Sequence, residues 1–253
     1  MRRLAEVTRN ERLEAYVLLS VRDFSRPQPG QFFMLAAVER WGGGANERPY
    51  LPRAFSHARV NDDGTLDFLL EAVGPGTQRL AELQPGEGIW ILGPLGIGFK
   101  PTERPPLLVG GGIGAAPLLA LHDELPQETP VLLGFRSAAH AEAAAIFRTD
   151  PFLATDDGSV GHSGLVTELL MDRLDGVEVY ACGPPPMLEA VRAICAERDI
   201  PAQLALESGM ACGFGACFGC VVPTKNGYVR LCLDGPVLPA AELETALTPG
   251  AGH

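Results

Sequence analysis

Leu107-Leu-Val-Gly-Gly-Gly-Ile-Gly-Ala-Ala-Pro117 is the stretch on which the fold turns. Three apolar residues read as a short strand, glycines follow at 110, 111, 112 and 114, and the residues from 115 to 125 read as a helix. Glycines between a strand and a helix let a pyrophosphate approach the helix N-terminus closely. From Gly112 the pattern is G-x-G-x-x-P, so the third glycine of the usual fingerprint is missing, and a tight strand–helix turn fits the same residues. Gly112, Gly114 and Pro117 are therefore candidate nucleotide contacts.

Moving outward, residues 131–135 and 177–181 read as further strands, and 140–146, 165–174 and 187–198 as helices. The strand at 177–181 runs into Cys182-Gly183-Pro184, a second glycine turn at a strand's C-terminal end, where open α/β sheets place their ligands. Pro184 to Pro186 can begin the following helix without losing an intrahelical hydrogen bond. Strands alternating with helices over residues 101–206 predict a parallel α/β sheet, and its two glycine turns favour a dinucleotide. Arg136 follows the second of these strands and could meet a 2′-phosphate or simply solvent.

Upstream, residues 1–100 keep a different rhythm. Apolar or alternating runs at 14–21, 31–38, 66–73 and 88–92 are separated by Pro29-Gly30, Asp62-Asp63-Gly64 and Pro85-Gly86. That spacing predicts a small antiparallel β-barrel or sandwich. Residues 42–46 read as a flexible loop. Arg53-Ala54-Phe55-Ser56 and Gly74-Pro-Gly76-Thr77 each set a phosphate-compatible group beside a turn, although an ordinary surface arginine and turn read the same way.

The tail, residues 207–253, carries Cys212, Cys217, Cys220 and Cys232. C-x4-C-x2-C followed by a distant cysteine is the plant-ferredoxin spacing of a [2Fe–2S] cluster, whereas zinc ribbons present two close pairs. Gly213, Gly215 and Gly219 suit a loop that must bring backbone N–H groups to sulfur. The tail is short for a core of its own, and a metal centre could hold it together. Cys195 reads as a core residue and Cys182 as a strand end near a ligand site.

Composition limits the alternatives. The 253 residues carry 20 Lys+Arg against 31 Asp+Glu, a net charge of −11 with no basic patch, which disfavours nucleic acid as a partner. Gly 30 and Pro 22 accompany 46% hydrophobic residues, so the chain is folded rather than disordered. The longest apolar run, 107–121, falls short of the roughly 18–20 residues that span a bilayer. The N-terminus lacks a signal-peptide pattern, so a cytoplasmic protein without a membrane span is expected. His122, His140, His162 and His253 show no metal-ligand spacing, and no Ser/His/Asp or Cys/His arrangement marks a catalytic residue.

In combination these motifs resemble the electron-transfer subunits of NAD-dependent (class 1B) dihydroorotate dehydrogenases, within the ferredoxin-reductase superfamily, over essentially the whole chain. The resemblance implies a multidomain β plus α/β fold: an FAD-binding antiparallel β-barrel (1–100), an NAD-binding parallel α/β sheet (101–206) and a small C-terminal [2Fe–2S] domain (207–253). It implies flavin contacts at Arg53, Ala54, Phe55 and Ser56, a strand beside the flavin at Leu70, Glu71 and Ala72, and a pyrophosphate pair at Gly76 and Thr77. Nicotinamide-nucleotide contacts fall at Gly112, Gly114, Pro117, Cys182, Gly183 and Pro184, and cluster ligands at Cys212, Cys217, Cys220 and Cys232. Residues 93–99 look like the barrel-to-sheet junction. Ala54 replaces a usual proline and His57 a usual aliphatic.

The implied partner is an FMN-containing catalytic subunit that oxidises dihydroorotate, in a heterotetramer of two plus two. Electrons would pass singly through the cluster, collect on FAD and leave as hydride to NAD+, in pyrimidine biosynthesis. A subunit of the same fold serving ferredoxin, sulfide or glutamate-synthase chemistry is one alternative. A zinc-bearing interaction module is another.

Overall fold

The computed structural model describes residues 2–42 and 49–248. The loop expected at 42–46 lies, apart from Gly42, outside the described residues, as does His253.

Seven strands build the first module: β1 (Arg3–Leu13), β2 (Tyr16–Arg22), β3 (Phe32–Ala37), β4 (Arg53–Ser56), β5 (Arg59–Val60), β6 (Thr65–Glu71) and β7 (Gly88–Leu95). They pair antiparallel in the order β4-β3-β7-β1-β2-β6-β5. β4 and β5 are opposite edges of this sheet, yet only His57 and Ala58 separate them in sequence. So short a link reaches about 10 Å, so the sheet curls until its edges meet, which is the geometry of a barrel. Alternation sorts the side chains of β6: Leu66, Phe68 and Leu70 enter the barrel core, while Leu69 joins the neighbouring core.

The runs read at 14–21, 31–38, 66–73 and 88–92 correspond to β2, β3, β6 and β7. β6 stops at Glu71 because Gly74 and Pro75 open a short helix, α1 (Pro75–Ala81), whose Leu80 closes the barrel core. The long strand β1 has no counterpart in the sequence reading. Only Val7 of its residues is fully buried, so charged and apolar positions leave no continuous apolar face.

The second module consists of β8 (Pro106–Gly111), β9 (Val131–Phe135), β10 (Phe152–Thr155), β11 (His162–Ser163), β12 (Glu178–Cys182) and β13 (Ala202–Ala205). Helices α2 (Ala115–His122), α3 (Ala138–Ala141), α4 (Val166–Leu170) and α5 (Pro185–Glu197) lie between them. The order β11-β10-β9-β8-β12-β13 is parallel throughout. The chain winds one way from β8 and then returns to its other side at β12, so β8 and β12 flank the switch point of the sheet. α3 and α4 are shorter than read: residues 142–146 continue as a 3-10 turn, and the Arg173 N–H bonds back to the Leu170 carbonyl after α4 ends. α5 buries Leu188, Val191 and Cys195 along one stripe. Burial pushes the Cys195 thiol up to about 11, as suits a core residue.

The tail folds onto this module. β14 (Val221–Thr224) and β15 (Gly227–Arg230) form the hairpin expected around Asn226-Gly227, and α6 (Leu231–Asp234) follows. β16 (Val237–Pro239) then pairs antiparallel with β13 as the seventh strand of the parallel sheet. Cys220, Val222, Leu231 and Leu243 share one core with Val109, Leu132, Val179 and Leu204. A segment too short for its own core thus borrows its neighbour's.

Polar ties fasten the modules. Arg59 of β5 pairs with Asp123 beyond α2 at 2.6 Å. Gln203 of β13 donates to the Lys100 carbonyl at 2.7 Å and to Glu178 at 2.9 Å, anchoring the linker that leaves the barrel. Among the described residues no helix is long and apolar enough to cross a membrane.

Candidate functional site

A cleft of about 1000 Å³ opens between the barrel and the α/β sheet. Its sheet wall is the switch point. Cys182 is the register partner of Gly110, so the two glycine turns stand side by side. A side chain at Gly114 would collide with the Cys182 carbonyl, and one at Gly183 would come within 2.9 Å of the Gly111 nitrogen. Glycine here is a demand of backbone meeting backbone. Gly112 adopts φ of 54° at the turn and, with Pro117, Gly183 and Pro184, lines the cleft.

The barrel wall comes from β4 and the end of β6. Arg53, Ala54, Phe55 and Ser56 all line the cleft, as do Glu71 and Thr77. The Arg53 guanidinium lies against Gly76, where an added Cβ would sit 2.6 Å from Nε. The same side chain donates to the Leu51 carbonyl at 2.6 Å and reaches over the Trp41 ring at 5.9 Å. The Thr77 hydroxyl accepts the N–H groups of Val73 and Gly74, both at 3.0 Å, and fixes the turn above α1. Leu70 turns the other way, into the barrel core, as alternation along β6 requires. Ala72 is exposed just past the strand and does not line the cleft.

The floor of the cleft is where sequence reasoning stopped short. Glu207, Ser208 and Met210 line it, directly after β13. Protein atoms ringing Glu207 push its carboxyl above the usual range, although the side chain stays reachable from the cleft. The Ser208 hydroxyl is buried without a hydrogen-bond partner, a polar atom left for a ligand to satisfy. Desolvation raises the Cys182 thiol well above its ordinary value, and nearby Glu207 adds to the shift, so Cys182 is a neutral wall rather than a nucleophile. Their position at the C-terminal edge of the sheet was the available signal for Glu207 and Ser208; no motif marks them.

At the mouth, Glu71 of the barrel is ion-paired with Arg136 of the sheet, and His140 Nε2 stands 3.8 Å from the same carboxylate oxygen. The Tyr16 ring meets His140 edge-on at 5.7 Å. Burial, with Glu71 adding to it, holds the Tyr16 hydroxyl far above the usual range, so it stays protonated.

Two residues beyond Met210 the cysteine loop begins, so cleft floor and loop are continuous in the chain. Gly213 and Gly215 have φ of 78° and 85°, and a Cβ on Gly213 would come within 2.6 Å of Met34 of β3. Met34 is in turn the register partner of Ala54, which lines the cleft. One strand pair therefore separates the loop from the cleft.

The four thiols sort into two pairs. Cys220 and Cys232 lie 3.2 Å apart, and the Cys217 side chain helps to hold the Cys212 thiol below its usual range. Among the described residues no three His, Cys, Asp or Glu side chains converge as for a single metal ion. Paired thiols fit a two-iron centre, in which each iron takes two sulfur ligands. Burial alone would raise the Cys212 thiol, but the N–H groups of Phe214, Cys217 and Ala216 bring it down to about 6. The Gly219 N–H points at Cys217 Sγ, at 3.4 Å. Burial and the adjacent Cys220 push Cys232 up to about 12. The loop thus offers sulfur-directed N–H groups in the places where thiolate charge needs them.

Residues 207–244 match the model of the iron–sulfur cluster binding domain of dihydroorotate dehydrogenase B. Among curated proteins, the chain is 35% identical over 250 residues to the dihydroorotate dehydrogenase B (NAD(+)) electron transfer subunit of Caldanaerobacter subterraneus subsp. tengcongensis, covering 94% of this chain and 97% of that one. It is 41% identical over 234 residues to the subunit of the same name from Bacillus caldolyticus, covering 85% and 86%. Among solved structures, an NADH-dependent reduced ferredoxin-NADP oxidoreductase superposes with a TM-score of 0.81 at 24% identity, covering 96% of this chain and 90% of that one. A ferredoxin NADP+ reductase from Neisseria gonorrhoeae with bound FAD and NADP superposes with a TM-score of 0.58 at 17% identity, covering 78% and 91%. The two structures share the fold, and the curated relatives decide the kinship: the chain belongs to the family of dihydroorotate dehydrogenase B (NAD(+)) electron transfer subunits.

Proposed function

We propose that this chain carries the electrons of dihydroorotate oxidation from a separate FMN-containing subunit to NAD+, with Cys212, Cys217, Cys220 and Cys232 as its entry point and the interdomain cleft as its exit. The observation that carries the reading is the continuity of the two sites: Met210 lines the cleft, Cys212 opens the loop, and Met34 lies between Gly213 and the Ala54 edge of the cleft.

When bound, the [2Fe–2S] centre supplies one-electron transfer, and FAD supplies the conversion of two such electrons into a hydride for NAD+. The residues provide position and electrostatics. The two thiol pairs would hold the cluster, and the N–H groups of Phe214, Ala216, Cys217 and Gly219 would stabilise negative charge on sulfur. Arg53, beside Gly76 and with Thr77 lining the same wall, would bind the FAD pyrophosphate, and Ser56 of the same wall would contact the flavin. Gly112 and Gly183 would let the nicotinamide nucleotide approach the backbone at the switch point; Gly114 does not line the cleft and serves the close packing of its turn on Cys182, and Glu207 and Ser208 close the cleft floor. Cys182, held neutral, would add no charge to the cleft wall.

The partner assembly is read as two electron-transfer and two catalytic subunits, in the cytoplasm, within pyrimidine biosynthesis. Purification with the catalytic subunit, a visible spectrum, and iron, sulfide and flavin counts test the reading together with dihydroorotate-dependent reduction of NAD+. A complex that holds both cofactors and fails to reduce NAD+ with dihydroorotate refutes it.

A further inference from the structure

Arg136 directly follows β9, the strand beside the switch-point strand β8. In doubly wound nucleotide-binding sheets this neighbourhood faces the 2′ position of the adenosine ribose. An acid there accepts from a 2′-hydroxyl, whereas an arginine accommodates a 2′-phosphate. Read from the α/β module alone, Arg136 equips the chain for the phosphorylated dinucleotide.

The barrel changes that reading. Glu71, at the end of β6, pairs with the Arg136 guanidinium across the cleft mouth, and His140 approaches the same carboxylate oxygen at 3.8 Å. The Arg136 side chain is 63% exposed while Glu71 is 24% exposed, so the carboxylate is the more buried member of the pair. Asp156, following β10, lines the same cleft and adds a second acid. Among the described residues, Arg53 and Arg136 are the only Lys or Arg side chains lining the cleft, and Arg53 lies on the barrel wall beside Gly76. The chain has two lysines, Lys100 and Lys225, and neither lines the cleft. A 2′-phosphate docking on Arg136 would have to displace Glu71 or settle beside it as a like charge, whereas a 2′-hydroxyl faces no such conflict.

We propose that Glu71 is a specificity-determining residue: by occupying Arg136 from the other module, it makes the cleft choose NAD(H) over NADP(H). The inference rests on the reading of the cleft as a dinucleotide site. Specificity is then set where the two modules meet, by a residue of the flavin-side strand.

The test uses the flavin-loaded complex with its catalytic subunit and the variants Glu71→Gln, Glu71→Ala and Glu71→Gln/Arg136→Ala. Two ratios are read per bound flavin: kcat/KM for NADPH over NADH, and calorimetric affinity for 2′,5′-ADP over 5′-AMP. Both ratios are expected to rise about tenfold or more in either Glu71 variant and to fall back in the double variant. Ratios within about twofold of the parent protein in both single variants overturn the proposal. So does a rise that survives removal of Arg136, which would place the effect elsewhere. If the flavin-loaded parent binds neither dinucleotide nor 5′-AMP, the dinucleotide reading itself fails and takes the proposal with it.

Discussion

His57 is 1% exposed in the short link where the barrel's two edge strands meet. Its Nδ1 faces the Gln31 carbonyl at 3.4 Å, and its ring meets Phe33 edge-on at 6.3 Å. Desolvation by burial lowers its pKa from 6.5 to about 4, more than the Gln31 carbonyl raises it. The unfolded chain therefore takes up a proton before the folded one as pH falls. The stability this residue contributes is complete above pH 6.5 and is lost progressively between 6.5 and about 4. At about 1.4 kcal/mol per pH unit of that window, acidification to pH 5 costs about 2 kcal/mol. Both tryptophans, Trp41 and Trp90, belong to the barrel module, so urea unfolding followed by tryptophan emission at pH 7.5 and pH 5 reports the relevant unit. A His57→Gln variant should lose about 2 kcal/mol less than the parent protein between the two pH values, whatever its stability at pH 7.5. Equal losses in both proteins, to within about 0.5 kcal/mol, would refute the reasoning.

Replacing Cys220 or Cys232 with serine should take bound iron from about two per chain to well under one, with the flavin band retained; metal and sulfide analysis beside a visible spectrum checks this. Arg53→Ala removes a charged hydrogen-bond donor from the barrel wall and should weaken FAD binding by about 10- to 100-fold, measured by flavin fluorescence titration. Gly114→Ala forces α2 away from the Cys182 carbonyl. It should lower stability by about 1–3 kcal/mol and raise KM for NAD+ about tenfold, seen in thermal melts and steady-state kinetics.

The parts of the candidate site written in glycine and cysteine can be read from the chain alone. The turns at 110–114 and 182–184 announce themselves because a backbone that must touch another backbone tolerates no side chain there, and the cysteine spacing carries its own chemistry. Arg53 through Ser56 and Thr77 came from resemblance, and they line the cleft. Leu70 did not fit the same pattern because period-two alternation turns it inward, a consequence of strand phase that a motif does not state. β1 escaped because its burial is one-sided and sparse. Glu207, Ser208 and the Glu71–Arg136 pair were invisible for a different reason. Their meaning depends on which strand ends the topology sets side by side, and local sequence holds no record of that.

The antiparallel pairing of β13 with β16 gives the cysteine segment an unusual status. Everything from Leu206 to Pro236 is the connection of a single hairpin, pinched at its base where the Leu206 N–H meets the Pro236 carbonyl at 2.9 Å. The electron-carrying segment is thus a loop in the topological sense: its two ends leave the sheet at one point, although its Cys220, Val222 and Leu231 pack into the sheet's own core. Length and sequence inside such a loop can change while strand order stays as it is, which makes the conduit an exchangeable fitting on a constant flavin and nucleotide frame.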